Sequence, residues 1–292
     1  MRASVAVTRL WPLLLAAVLA ACATPPAEPL RVTGERLFIP VTINGIETEA
    51  LLDSGAEMTL IDAHFADRLG LTYAGEHVAK GTGGSQSIRF AENVSVRAPG
   101  FAADAVTVAV LDLTDISARL VGEPVHVVMG REIFDSGRYL VDIAGRRFER
   151  VPRSSPPPGI TLPLTENRGI RQLPVSIDDL PPTAADFDLG NGNAVLVGRD
   201  YAVASGLLEA HPVVGTKAGG GIGGELERDL IVVDRLRVAG VTFEGVAVAI
   251  DPTPTAADVN IGVPILRQFL ITVDFPQDTI WLQPRRTLGH TP

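Results

Sequence analysis

Two acid-x-glycine tripeptides stand in corresponding places of the chain: Asp53-Ser54-Gly55 and Asp188-Leu189-Gly190. The first closes an apolar run, Ala50-Leu51-Leu52, so its backbone should lie near the core. Two carboxyls brought within a few ångströms cannot both ionise cheaply, so one keeps its proton and the pair titrates as a unit. The ionised member can take a proton from a bound water, while the protonated member polarises or protonates a carbonyl. That is direct attack of water on an amide, with no metal, cofactor or covalent intermediate. The glycine of each tripeptide lets the chain turn tightly and bring backbone N–H groups toward the carboxylate.

The acids are meaningful only if something positions both, and the chain repeats itself in a way that would. Leu37 to Asp53, "LFIPVTINGIETEALLD", has two alternating apolar runs around Asn44-Gly45, the signature of a tight hairpin. Leu173 to Asp188, "LPVSIDDLPPTAADFD", has the same outline with a proline-containing turn. Each acid is followed by a short apolar run and an expected helix. The first is capped by Asp62 and stopped at Gly70; the second is stopped at Gly206. Glycine-rich loops come next, "KGTGGSQS" from Lys80 and "KAGGGIGGE" from Lys217, then strands ending at Asp112 and Asp251. Gly130 and Gly262 follow apolar residues, and a strand beyond each carries Asp142 or Asp274. One order of features at nearly constant spacing marks an internal repeat. Two equivalent lobes pack most simply about a pseudo-twofold axis, which would bring Asp53 and Asp188 together.

In these residues the chain resembles the pepsin-like and retropepsin-like aspartic proteases. The first half carries the family pattern as Leu51-Leu52-Asp53-Ser54-Gly55-Ala56 with Val128-Met129-Gly130. The second carries it less fully, as Phe187-Asp188-Leu189-Gly190-Asn191 with Asn260-Ile261-Gly262. The resemblance spans essentially Leu37 to Pro284. It implies a mostly β fold of two barrel-like lobes, six or seven strands each, with the active site between them. It implies catalysis by Asp53 and Asp188, with Ser54, Gly55, Ala56, Leu189, Gly190, Gly130 and Gly262 supporting the loops. It also implies a β-hairpin flap over an extended peptide or protein substrate. Gly81, Gly83, Gly84, Gly219, Gly220 and Gly221 occupy the flap position.

The second half departs from that pattern. In the family, the hydroxyl after each acid bonds across to the opposite loop. Ser54 can do so and Leu189 cannot, while Asn191 replaces the usual small residue. Asp188 is therefore either catalytic in a looser frame or a structural relic. The corresponding alternative function is a non-catalytic peptide- or polymer-binding protein with a degenerate second site. Asp142 and Asp274, at strand ends, are expected to be structural.

The remaining features set the surroundings. The chain has 292 residues, 46% hydrophobic, with Gly 29 and Pro 22, a mix that favours short strands and turns. Arg2 and Arg9 precede an apolar stretch from Leu10 to Ala21, too short to span a bilayer, ending at Cys22, the single cysteine. This resembles a bacterial lipoprotein signal, implying lipid on Cys22 and, because Ala23 is not Asp, anchorage in the outer membrane facing the periplasm. The expected division is a signal peptide over 1–21, lipidated Cys and linker over 22–34, a first lobe over 35–151, an interlobe linker over 152–163, a second lobe over 164–286, and a tail over 287–292. A net charge of −9, more negative once the two arginines leave, argues against nucleic acid as a partner. A monomer is expected, since the repeat supplies its own partner. Gly219 to Gly224 fits a dinucleotide-binding glycine pattern only because it is nearly all glycine. No two of the histidines have metal-ligand spacing.

Overall fold

The computed structural model describes residues 28–81 and 83–285. The expected signal segment, Cys22, the tail over 287–292 and Thr82 lie outside the described residues.

Two eight-stranded sheets repeat one plan. In spatial order the first runs Arg31–Thr33, Arg36–Ile43, Ile46–Leu52, Val127–Met129, Leu60–Asp62, Phe101–Leu111, Gly84–Ala98 and Tyr73–Gly81. The second runs Thr165–Asn167, Ile170–Ile177, Thr183–Phe187, Val259–Ile261, Val195–Gly198, Val241–Asp251, Gly224–Val238 and Gly215–Gly221. In each sheet the second strand also pairs with the seventh, curling the sheet toward closure. The two lobes and their internal symmetry are thus those expected from the repeat, with more strands apiece.

Local chemistry explains the elements that place the acids. Asn44 and Gly45 adopt φ of 46° and 83°, as a two-residue hairpin turn requires, and set Ile43 opposite Ile46. That register carries Ile46–Leu52 straight to Asp53. The Asp62 carboxyl accepts the backbone N–H groups of His64 and Phe65 and so starts the helix Ala63–Arg68. The corresponding helix, Arg199–Ala204, ends just before Gly206 (φ 78°), which leads into a second short helix, Leu207–Ala210.

Strand alternation gives each lobe two apolar faces. Ala50 and Leu52 enter the main core, together with Ile39, Val127 and Met129. Leu51, on the opposite face, joins Phe38, Ile88, Leu111 and Val128 in a separate cluster.

A third sheet of six strands joins the halves: Glu28–Pro29, Arg147–Arg150, Arg138–Asp142, Phe269–Asp274, Thr279–Pro284 and Ile160–Pro163. At its centre Arg138–Asp142 runs antiparallel to Phe269–Asp274, with Arg138 opposite Asp274. Asp274 is fully buried and accepts from Arg138 and from two nitrogens of Arg153. Asp142 accepts the Gly145 N–H and pairs with Arg285. Both acids brace the joint between lobes and stand apart from the other candidate residues. The shared sheet also changes two expected linkers. Glu28–Pro29 and Arg31–Thr33, expected as spacer, are paired strands flanking the buried Leu30, and Ile160–Pro163, expected as interlobe linker, is an edge strand.

Candidate active site

Each acid leaves the end of its strand where a short parallel strand supports it. The Asp53 N–H donates to the Met129 carbonyl and the Asp188 N–H to that of Ile261. Gly130 and Gly262 follow those carbonyls and have no room for a side chain. A Cβ on Gly130 would strike the backbone of Met58, and one on Gly262 would strike the carbonyls of Asn191 and Asn193. Their predicted role as loop support is thus a matter of close backbone approach.

Beyond each acid the chain folds back on the carboxyl. Asp53 Oδ1 accepts N–H groups from Gly55 at 2.8 Å and Ala56 at 3.1 Å. Asp188 Oδ1 accepts the Gly190 N–H at 2.8 Å. The two loops meet face to face. A Cβ built on Gly55 would lie 3.2 Å from Asp188 Oδ1 and 3.3 Å from Asp53 Oδ1, so both carboxyls flank one small residue. A Cβ on Gly190 would run into the Asp53 carboxyl. Glycine is required at 190 because the opposing acid occupies the side-chain space, and at 55 a side chain would press tightly on both carboxyls.

Ser54 bonds across as expected. Its Oγ donates to the Phe187 carbonyl at 2.7 Å and accepts the Leu189 N–H at 2.9 Å. Leu189 returns no such bond. Its side chain is fully buried in the main core. The frame around Asp188 is completed by residues that sequence reasoning did not single out for this role. Asn260 Nδ2 donates to Asp188 Oδ2 at 2.8 Å, and Asn191 Nδ2 in turn donates to Asn260 Oδ1 at 2.7 Å. Arg36, from the first lobe, is buried and donates Nη1 to the Gly190 carbonyl at 2.6 Å. The readable signal for Asn260 was its own oddity, an amide where the pattern asks for an apolar residue. Arg36 had none, because it reaches the site from the start of a strand that sequence alone does not place there.

The electrostatics follow from this packing. Both acids keep some surface exposure at the cleft floor while protein surrounds their carboxyls. Burial, reinforced by the charge of Asp188, pushes Asp53 up to about 7, against the pull of the Gly55 N–H and Arg36. Burial also raises Asp188, opposed by the Asn260 hydrogen bond, the Gly190 N–H and Arg36. Both shifts favour retention of a proton by the pair, with the donor groups on Asp188 favouring its ionised form. Arg36 faces both acids, and burial lowers its own pKa.

Two hairpins, one from each half, meet at their tips. Tyr73–Gly81 pairs with Gly84–Ala98, and Gly215–Gly221 with Gly224–Val238. Their tips touch: the Gly83 N–H donates to the Ile222 carbonyl at 2.9 Å, and a Cβ on Gly223 would strike the backbone of Gly84. Ile222 packs on the apolar cluster of the first lobe. Arg119, also of the first lobe, donates to the Gly219 carbonyl at 2.7 Å and the Gly224 carbonyl at 3.1 Å. The structure thus brings the hairpin tips of both halves into contact with each other.

Comparison with known proteins agrees with this architecture. Residues 39–133 match an aspartyl protease family model, a span that contains Asp53, Ser54, Gly55 and Gly130. No curated protein matches the chain. Among solved structures, basic 7S globulin from soybean aligns with a TM-score of 0.53 at 9% identity, over 88% of this chain and 94% of that one. The chain therefore has a mostly β, two-lobed, aspartic-protease-like fold, and residues 39–133 are similar to an aspartyl protease domain.

Proposed function

We propose that the chain is an aspartic-type endopeptidase that hydrolyses extended peptides with a water held between Asp53 and Asp188. The observation that carries this reading is the meeting of the two carboxyls across Gly55, one from each lobe, each fixed by backbone N–H groups. Asp188, supplied with the Asn260 amide, takes the proton from water as it attacks the peptide carbonyl. Asp53, held protonated up to about 7, donates to that carbonyl oxygen as it becomes tetrahedral. Asp188 then gives its proton to the departing nitrogen as the C–N bond breaks, and Asp53 takes a proton back from a hydroxyl of the diol, which becomes the carboxylic acid product and restores both groups. The touching hairpins exclude bulk water and must part to admit substrate.

The test is incubation of the purified chain with an unfolded protein at mildly acid pH, followed by sequencing of new termini. The Asp53→Asn chain should release none. An Asp53→Asn chain as active as the parent would sink the mechanism. An Asp188→Asn chain that kept its activity would make the second lobe a scaffold. The alternative, a non-catalytic peptide-binding protein, is favoured by one feature, the missing hydroxyl at Leu189. It predicts saturable peptide binding with no new termini.

The setting belongs to the same proposal. Lipid on Cys22 would hold the enzyme in the outer membrane of a bacterium, with its cleft facing the periplasm. Fatty-acid labelling that survives Cys22→Ser would contradict this.

A further inference from the structure

The two lobes match strand for strand, so each residue lining one side of the cleft has a counterpart on the other. Side chains two apart on a strand share a face, which puts Leu51 on the side of Asp53 and Asp186 on the side of Asp188. In the first lobe Leu51 lies opposite Phe38 on one neighbour and Val128 on the other. In the second, Asp186 lies opposite Gln172 and Asn260. The next pair along the hairpin follows suit. Arg89 faces Val110 as Asp229 faces Ile250, so Ile88 and Leu111 correspond to Arg228 and Asp251. Five apolar positions of one wall are polar or charged on the other.

The first wall shows what it accepts. Phe38, Leu51, Ile88, Leu111 and Val128 form one cluster, and the tip residue Ile222 of the opposite hairpin rests on it. A branched aliphatic side chain therefore has a place there.

The second wall can be read by asking which polar atoms remain unmatched. Arg228 is committed to Asp251, with Nη2 at 2.8 Å and Nε at 3.1 Å from Oδ2, and Thr253 satisfies the other oxygen. The Asn260 amide is shared between Asp188 and Asn191. Gln172 Nε2 donates to Asp186 Oδ1 at 2.7 Å. Asp186 Oδ2 makes no hydrogen bond among the described residues and still reaches solvent, although Asp186 as a whole is only 6% exposed. Arg168 is near enough to attract it, yet directs Nη1 to the Thr255 carbonyl, and Asp258 and Asp188 add negative charge nearby. Burial, with the charges of Asp188 and Asp258, pushes Asp186 up to about 6 against Gln172 and Arg168; above that pH it is a carboxylate whose charge a neutral donor would leave and a cation would pair.

We propose that the cleft selects peptides with an apolar side chain on the first-lobe side of the scissile bond and a lysine or arginine on the second-lobe side, its cation meeting Asp186. This rests on the peptide-cleaving reading above and names the substrate class of that site. The acidic net charge of the chain, −9, adds a general attraction for such peptides.

The experiment profiles cut sites in a peptide library that places Lys, Leu and Gln on either side of an apolar residue. It uses the parent chain, Asp186→Leu and Asp186→Asn. Asp186→Leu installs the residue of the other wall; Asp186→Asn keeps the shape and the Gln172 contact, so loss of folding in the first leaves the second to decide. A parallel arm measures binding of fluorescent Lys and Leu peptides to the Asp53→Asn chain, with and without each Asp186 change. The expected result is a preference for Lys over Leu on one side of the cut of about tenfold or more, the worth of one charge-assisted hydrogen bond, lost in both variants. Cleavage without that preference, or a preference that survives both changes, overturns the proposal. Lys-selective binding that depends on Asp186 but comes without cleavage supports it and overturns the hydrolytic reading. Neither cleavage nor selective binding overturns both.

Discussion

Ser54 Oγ is wedged into the loop of the opposite lobe, donating to the Phe187 carbonyl at 2.7 Å and accepting the Leu189 N–H at 2.9 Å. One hydroxyl thus pins the strand end before Asp188 and the turn after it. No second hydroxyl returns the bond, so the register of the two acids depends on Ser54 more than in a symmetric pair. Ser54→Ala would leave a buried N–H and a buried carbonyl unpaired. It should cost about 1–3 kcal/mol for each group that water does not reach. Peptide hydrolysis should fall in kcat by roughly 10–100-fold with little change in KM, as expected for misplaced catalytic groups. Steady-state kinetics beside a denaturant melt checks both parts, and an unchanged kcat would show that Ser54 does not set the register.

Asn260 stands where the first lobe has Val128, and its amide holds Asp188 toward the charged form. Asn260→Val removes a hydrogen bond to a carboxylate, worth about 1.5–3 kcal/mol. The raised pKa of Asp188, set first by burial, should rise further. The acid limb of the pH–rate profile should therefore move to higher pH, with roughly a tenfold or larger loss of rate at its acid end. An acid limb that stayed in place would mean that Asp188 is not the group ionising there.

Arg119 latches the second hairpin through the carbonyls of Gly219 and Gly224 while pairing with Asp115. Arg119→Met keeps the stem and removes the donors. Amide exchange across 215–224 should quicken by about tenfold, equivalent to 1.4 kcal/mol of lost protection. Hydrogen-exchange mass spectrometry reads this directly. Unchanged protection would place the hold on this hairpin in the Gly83–Ile222 contact alone.

The proton on Asp53 also ties stability to pH. Its pKa is about 7 in the folded chain against an ordinary 3.8, so folding binds a proton between those values. The stability this contributes is full below about pH 4 and is lost as pH rises through about 7. Asp53→Asn has no proton to lose. It should melt above the parent at about pH 8, by on the order of 2–4 kcal/mol, and close to it at about pH 4. Thermal melts at the two pH values decide, and a variant less stable than the parent at pH 8 would contradict the direction.

What the sequence disclosed was whatever local chemistry dictates. Asn44-Gly45 can scarcely do anything but turn, Asp62 can cap the helix after it, and the glycines around Gly83 and Gly221 mark hairpin tips. The repeat then paired Asp53 with Asp188. What stayed hidden depends on register across distant strands. Asp186 reads as one more acid until Gln172 and Asn260 are seen beside it, opposite Phe38 and Val128 of the other wall. Leu189 read as a defect in the site, and it is a core residue whose N–H still takes part. Arg36 reaches the acids from a strand start, and the six-stranded joint draws on Glu28–Pro29 and Ile160–Pro163, short segments rich in proline with no periodicity to announce them.

Whether Asp53 and Asp188 act as one unit on one water is decided by kcat/KM for a single cleaved peptide with the parent, Asp53→Asn, Asp188→Asn and the double variant. Residues that work as a unit fail together, so each single change should lower the rate to nearly the level of the double. Losses that multiply, or an Asp188→Asn chain near the parent rate, would show that the two acids do not act as one unit.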